Sequence, residues 1–192
     1  MNSVGIFGGT FDPIHLGHLI TAQFIREVRG LEKIIFVPAF ISPFKEDLKS
    51  TEAGHRLEMI HLSIDNINYF EVSDFELINK NISYTINTVR FFKKKFENIE
   101  LIIGLDNLFE FHRWKDPEEI LKLAKLLVMK RKTEENLKSK NKFYEEAFFV
   151  DTPVIEISST EIRQRIKKGL PIDFLVTPAV KKYIYGNNLY KD

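Results

Sequence analysis

Gly8-Gly9-Thr10-Phe11-Asp12-Pro13-Ile14-His15-Leu16-Gly17-His18 follows directly on the apolar run Val4-Gly5-Ile6-Phe7. The run reads as a buried strand, and Leu16, Leu19, Ile20 and Phe24 then recur at helical spacing until Gly30 stops the pattern. Between them lies a glycine-containing turn that opens onto two histidines three residues apart, on one face of a first helical turn. Gly8 and Gly9 are expected to adopt backbone conformations that other residues avoid and to let an anion approach main-chain N–H groups. The following helix presents its unpaired N–H groups and positive dipole end to the same place. His15 and His18 add side-chain donors. The stretch contains no nucleophile with a base beside it and the chain has no cysteine, so the chemistry it suggests is binding and polarising phosphate, without a covalent intermediate.

The spelling excludes a P-loop, which needs Gly-Lys-Ser/Thr, and a dinucleotide fingerprint, which needs three spaced glycines. Two histidines without cysteine are also too few for a zinc site. An isolated pair of this spacing would more often be packed or exposed on a helix; the glycine-lined strand-to-helix turn is what makes it a candidate site.

Outward from this segment, apolar runs alternate with amphipathic ones. Strands are predicted at Lys33–Pro38, Tyr69–Asp74, Leu101–Gly104 and Leu126–Lys130, with short edge strands at Phe148–Val150 and Val154–Ile157. Helices are predicted at Glu52–Asp65, Ser83–Lys95 and Pro117–Leu123, the last with Asp116 as its cap and proline in its first turn. Ser158 and Glu161 have capping-box spacing before a helix that ends at Gly169, and Thr177-Pro178 opens a terminal helix. Ala39–Ser50 is an irregular basic loop, and Thr133–Tyr144 is too charged to assign. The alternation predicts an α/β fold, a Rossmann-like doubly wound sheet, mainly parallel, with C-terminal helices. Ligands of such sheets bind beyond the C-terminal strand ends. Gly8–His18, Gly104–Asp106 and Ser158–Arg163 all fall there.

Three more constellations share that edge. In Ile157-Ser158-Ser159-Thr160-Glu161-Ile162-Arg163, hydroxyls at a helix start with an arginine one turn inside form either an ordinary cap or a second phosphate cradle. In Gly104-Leu105-Asp106, followed by the single tryptophan Trp114, the glycine permits close approach of a flat ligand, and the carboxylate either accepts from a ribose or caps a helix. Ser83-Tyr84-Thr85, with Thr88, is a helix start that could also hold a small carboxylate.

GGTFDPIHLGH resembles the signature of the HxGH nucleotidylyltransferases, and its wording resembles the bacterial nicotinate-mononucleotide adenylyltransferases; the related phosphopantetheine enzymes carry Thr where His15 stands. ISSTEIR, SYTxxT and GxDxxxxxxxW occur in that family's order, and Val176–Tyr190 resembles its closing helix down to Leu189-Tyr190. The resemblance implies one nucleotidylyltransferase domain over 1–192, with a helical portion from 158 to 192. It implies adenylyl transfer from ATP to nicotinate mononucleotide, with Mg2+ carried by the ATP phosphates and no protein metal site. His15, His18, Lys45 and Arg163 would be catalytic. Gly8, Gly9, Thr10, Phe11, His18, Gly104, Asp106, Ser158, Ser159, Thr160 and Arg163 would bind ATP, and Lys45, Ser83, Tyr84, Thr85, Trp114 and Arg131 the mononucleotide. Two departures stand out: Phe44 replaces the family's loop histidine before Lys45, and no proline follows Arg131.

Composition agrees with small-molecule chemistry. Hydrophobic residues are 44% and charged residues 29%, with a formal net charge of +1, so no global field draws the chain to nucleic acid or to an anionic membrane. No apolar run approaches the ~20 residues that span a bilayer, and the lack of cysteine suits a cytoplasmic protein. A homodimer stays open. The alternatives are an enzyme of the same fold acting on another phosphate, such as phosphopantetheine, and a noncatalytic nucleotide- or RNA-binding module.

Overall fold

The computed structural model describes residues 3–41, 50–131 and 142–191. Six strands form one sheet in the order β3-β2-β1-β4-β5-β6. They are β1 (Ser3–Gly9), β2 (Lys33–Pro38), β3 (Phe70–Val72), β4 (Asn98–Gly104), β5 (Lys125–Arg131) and β6 (Phe148–Thr152). All five pairings are parallel.

Period-two alternation explains why both faces of the sheet are covered. Phe7, Ile34, Phe36, Ile102 and Leu127 face one cluster, which α1 (Leu16–Arg29), α2 (Ala53–Ile64), α7 (Ser159–Lys167) and α8 (Pro178–Gly186) complete through Ile25, Ile60, Ile162 and Ile184. Val4, Ile6, Ile35, Val37, Leu101 and Ile103 face the other. There α4 (Thr85–Lys93), α5 (Leu105–Phe109) and α6 (Pro117–Leu123) close the core through Val89, Leu108 and Ile120. The short α3 (Phe75–Ile78) lies between β3 and α4. Gly5 lets the side chains pack closely over β1: a Cβ there would sit 2.5 Å from Ile34 Cδ1, and the neighbouring side chains would have to shift.

The chain runs from β1 outward to β3 and returns to β4 on the other side of β1. The crevice of such a sheet opens where that order reverses, beyond the C-terminal ends of β1 and β4. Gly8-Gly9 and Gly104 end those two strands.

Three local expectations are corrected. Val154–Ile157 is not a strand: β6 ends at Thr152, before Pro153, which has no N–H to donate, and the chain then runs without regular structure to Ser158. Asp116 occupies the cap position of α6 but makes no side-chain cap hydrogen bond; at φ 50° its carboxylate lies instead 3.8 Å from Arg90. Neither Gly8 nor Gly9 has a positive φ; Phe11 does, at 50°. Gly9 serves through space, since a Cβ there would lie 2.9 Å from the Phe11 ring, while Gly8 faces open space with nothing within 4 Å of a Cβ. Lys45 and most of Thr133–Tyr144 lie outside the described residues; Lys142–Tyr144 forms one 3-10 turn.

Candidate active site

The crevice holds two adjoining cavities of about 670 Å³ and 540 Å³. Phe7, Thr10, His18, Ala39 and Met129 line both. The larger is walled by His15, Asp106 and the Ser158–Arg163 segment; the smaller by Gly8, Gly9, Ser83, Tyr84, Thr85, Gly104 and Trp114. His18 thus stands on the shared wall.

His15 caps α1, and its ring stacks on that of His18 with centroids 3.6 Å apart. Gly17 makes this possible: a Cβ there would lie 3.0 Å from His15 Nδ1. The His15 backbone N–H donates to His18 Nδ1 at 3.3 Å. An accepting Nδ1 puts the ring proton of neutral His18 on Nε2, which makes that nitrogen a donor. The edges of Phe7 and Phe11 approach the same ring, with centroids 6.1 Å and 5.1 Å away. Burial holds His18 well below the ordinary imidazole value, helped by the neighbouring His15, and burial lowers His15 to about 4. Both rings are therefore neutral at pH 7 in the free protein.

The phosphate turn is braced by donors from α2 and α7. The carbonyls of Thr10, Asp12 and Pro13 accept from Arg56 Nη1 at 2.7 Å, Arg163 Nη1 at 2.7 Å and Ser159 Oγ at 2.8 Å. Arg163 Nη2 donates to Thr160 Oγ1, and the Ser158 hydroxyl accepts from Glu161 N at 3.1 Å, so the expected cap is made. Arg163 is held by two bonds and keeps further N–H groups on the cavity wall.

The smaller cavity is assembled differently. Ser83 Oγ accepts from Phe40 N at 2.9 Å and pairs with Glu76, to which the Thr88 hydroxyl also donates. The Ser83 hydroxyl is therefore committed within the protein, which leaves Tyr84 and Thr85 as the wall's available polar groups from this segment. Burial raises the Glu76 carboxyl above its usual range, against the lowering by the Thr88 and Ser83 hydroxyls. Lys115 sits 4.5 Å over the Tyr84 ring. Trp114 packs on Phe111, and its Nε1 has no hydrogen-bond partner. Among the described residues no cluster of three or more His, Asp or Glu could hold a metal, and no helix is long and apolar enough to cross a membrane.

The cytidylyltransferase-like family model matches residues 6–165. A Caldicellulosiruptor saccharolyticus protein named "Probable nicotinate-nucleotide adenylyltransferase" is 42% identical over 98% of this chain and 99% of its own. A Borrelia garinii protein of the same name is 38% identical over 97% and 94%. This chain belongs to the nicotinate-nucleotide adenylyltransferases. The fold agrees with the solved nicotinic acid mononucleotide adenylyltransferase of Plasmodium falciparum, complexed with NaAD, at TM-score 0.80 and 22% identity over 99% of this chain and 98% of that one.

Against the adenylyltransferase motifs, the structure gathers His15, His18, Thr10, Phe11, Asp106, Ser158, Ser159, Thr160 and Arg163 around the larger cavity and Ser83, Tyr84, Thr85 and Trp114 around the smaller. Gly8, Gly9 and Gly104, expected on the ATP side, line the smaller cavity. Arg131 ends β5, opposite Thr152 of β6. Sequence reasoning missed Arg56, Glu76 and the binding partners of Asp12. Arg56 had a signal: it shares the buried stripe of α2 with Met59, Ile60 and Ser63, an unusual place for an arginine.

Proposed function

We propose that this chain transfers the adenylyl group of ATP to nicotinate mononucleotide, releasing pyrophosphate and forming nicotinate adenine dinucleotide. The observation that carries this reading is the position of His18, a neutral Nε2–H donor on the wall between the two cavities. A mononucleotide phosphate oxygen attacks the α-phosphorus, and the bond from that phosphorus to the oxygen bridging to the β-phosphate breaks. The electron pair leaves with pyrophosphate. The attacking phosphate is already ionised at neutral pH, so no base is needed; alignment and stabilisation of developing charge carry the catalysis.

In this reading ATP lies in the larger cavity. His15 and His18 donate to phosphate oxygens at the reacting centre, Arg163 with the α7 N-terminus and its Ser158, Ser159 and Thr160 residues binds the far phosphates, and Asp106 takes the ribose. The mononucleotide lies in the smaller cavity, its ring against Trp114 and its carboxylate at Tyr84-Thr85 with Lys115 nearby. Lys45 and Arg131 are assigned to the mononucleotide phosphate by motif alone. Both Asp12 carboxylate oxygens are engaged within the protein, so the cleft's donor set suits a Mg2+ held mainly by triphosphate and water. When bound, that ion neutralises triphosphate charge. The reading also takes the chain as one cytoplasmic domain acting on small molecules.

Pyrophosphate release measured with ATP and, separately, nicotinate mononucleotide, nicotinamide mononucleotide and phosphopantetheine tests it. Nicotinate mononucleotide is the expected preferred acceptor. Preference for another would reassign the smaller cavity, and ATP binding without release for any acceptor would leave a noncatalytic module.

A further inference from the structure

Segments far apart in the chain converge on Asp12, which is 7% exposed. Its Oδ1 accepts from the Tyr190 hydroxyl at 2.6 Å and its Oδ2 from Thr51 N at 3.0 Å. Its own carbonyl holds Arg163 Nη1 at 2.7 Å. Two further carbonyls of the same turn, those of Thr10 and Pro13, accept from Arg56 and Ser159. A carbonyl is the negative end of the peptide dipole, so an anion site is weakened wherever one turns toward the ligand. Here the carbonyls of Thr10, Asp12 and Pro13 are each already paired with a protein donor, Arg56, Arg163 and Ser159 respectively. The Asp12 carboxylate fixes the turn in that arrangement.

Tyr190 lines neither cavity. Its backbone sits at φ 63°, a region a bulky residue rarely occupies, yet its ring packs against the core and its hydroxyl reaches Asp12 and the Thr51 side chain. Nothing in the adenylyl-transfer reading uses this residue. We infer that Tyr190 is a positioning residue for that reaction: through Asp12 it fixes the phosphate turn and the Arg163 guanidinium that rests on it. The inference rests on the proposed function for what is positioned, and on the hydrogen bonds for how. Burial and the adjacent Asp12 push the Tyr190 phenol well above its usual value, so it remains a donor at working pH.

Tyr190→Phe removes one oxygen and keeps the packed ring. Steady-state kinetics on wild type, Tyr190→Phe, Arg163→Ala and the double variant read the coupling. A hydrogen bond to a charged acceptor predicts that Tyr190→Phe lowers kcat/KM for ATP about tenfold, with KM for the pyridine mononucleotide changed less than about twofold. In the Arg163→Ala background the same change should cost less than about twofold, because the group being positioned is gone. Equal loss toward both substrates, kcat/KM for ATP close to wild type, or single effects that simply multiply in the double variant would overturn the inference. Wild-type turnover reports separately on the proposed function. Should the wild type bind ATP without turnover, calorimetric Kd values for ATP on the same four proteins read the same coupling. Circular dichroism separates a folding defect from lost positioning.

Discussion

On one side of His18, the wall is a continuous run from Thr10 to His18 backed by α7, with the carbonyls of Thr10, Asp12 and Pro13 each paired with a protein donor. On the other side, Tyr84-Thr85 at the start of α4, Gly104 at the end of β4 and Trp114 arrive from three separate elements, two hydroxyls are committed to Glu76, and Trp114 Nε1 is left without a partner. The first half is organised before substrate arrives, as charge stabilisation in a transition state requires. The second offers surface and a few donors, which suits recognition of a flat ring. Damage to the first half should therefore appear in turnover, and damage to the second in affinity for one substrate.

The sharpest separation is expected from His18→Ala, which removes the donor on the shared wall. Turnover should fall by roughly two powers of ten or more, the scale of losing one preorganised donor, while circular dichroism stays native. A kcat near wild type would break the comparison at its centre. Arg163→Ala should come next, lowering kcat/KM for ATP by about tenfold to a hundredfold, as expected for a charge-assisted bond. KM for the mononucleotide should be unmoved in that variant. Trp114→Ala should do the reverse: stacking of a base on an aromatic ring is worth about 1–3 kcal/mol, so KM for nicotinate mononucleotide should rise about tenfold with KM for ATP unchanged. If both KM values rose together, the two cavities would not be separate subsites.

A separate effect concerns stability. His15 and His18 are neutral when folded, with pKa values depressed by burial, but titrate near 6.5 when unfolded. Between pH 6.5 and about 4 the unfolded chain binds the extra protons, so stability is full above that window and falls as pH drops through it. The slope is about 1.4 kcal/mol per pH unit for His15, and His18 acts in the same direction. Thermal melts from pH 7.5 to 4.5 check this, and His15→Gln should flatten the dependence. A Tm insensitive to pH across the window would show that the rings are not desolvated as described.

The same contrast explains what could be read from the sequence alone. The phosphate half is a contiguous motif, and the central strands announce themselves as runs such as Ile34-Ile35-Phe36-Val37 and Leu101-Ile102-Ile103, buried on both faces. Short elements were not legible: α3 and α5 span four and five residues, too few for periodicity to appear. Val154–Ile157 carries strand-forming residues, yet β6 stops before Pro153. The hydrogen bonds of Ser83 were not legible because its partners, Phe40 and Glu76, come from other segments. The Asp12–Tyr190 bond joins positions 178 residues apart, and no local pattern encodes such a contact.

The central claim is adenylyl transfer across the wall that His18 forms. Incubation of the protein with nicotinate mononucleotide and ATP labelled at the α-phosphorus tests it most directly. The account predicts label in nicotinate adenine dinucleotide, with one pyrophosphate released per dinucleotide formed. Label remaining in ATP, or appearing in ADP or free AMP without dinucleotide, would contradict it.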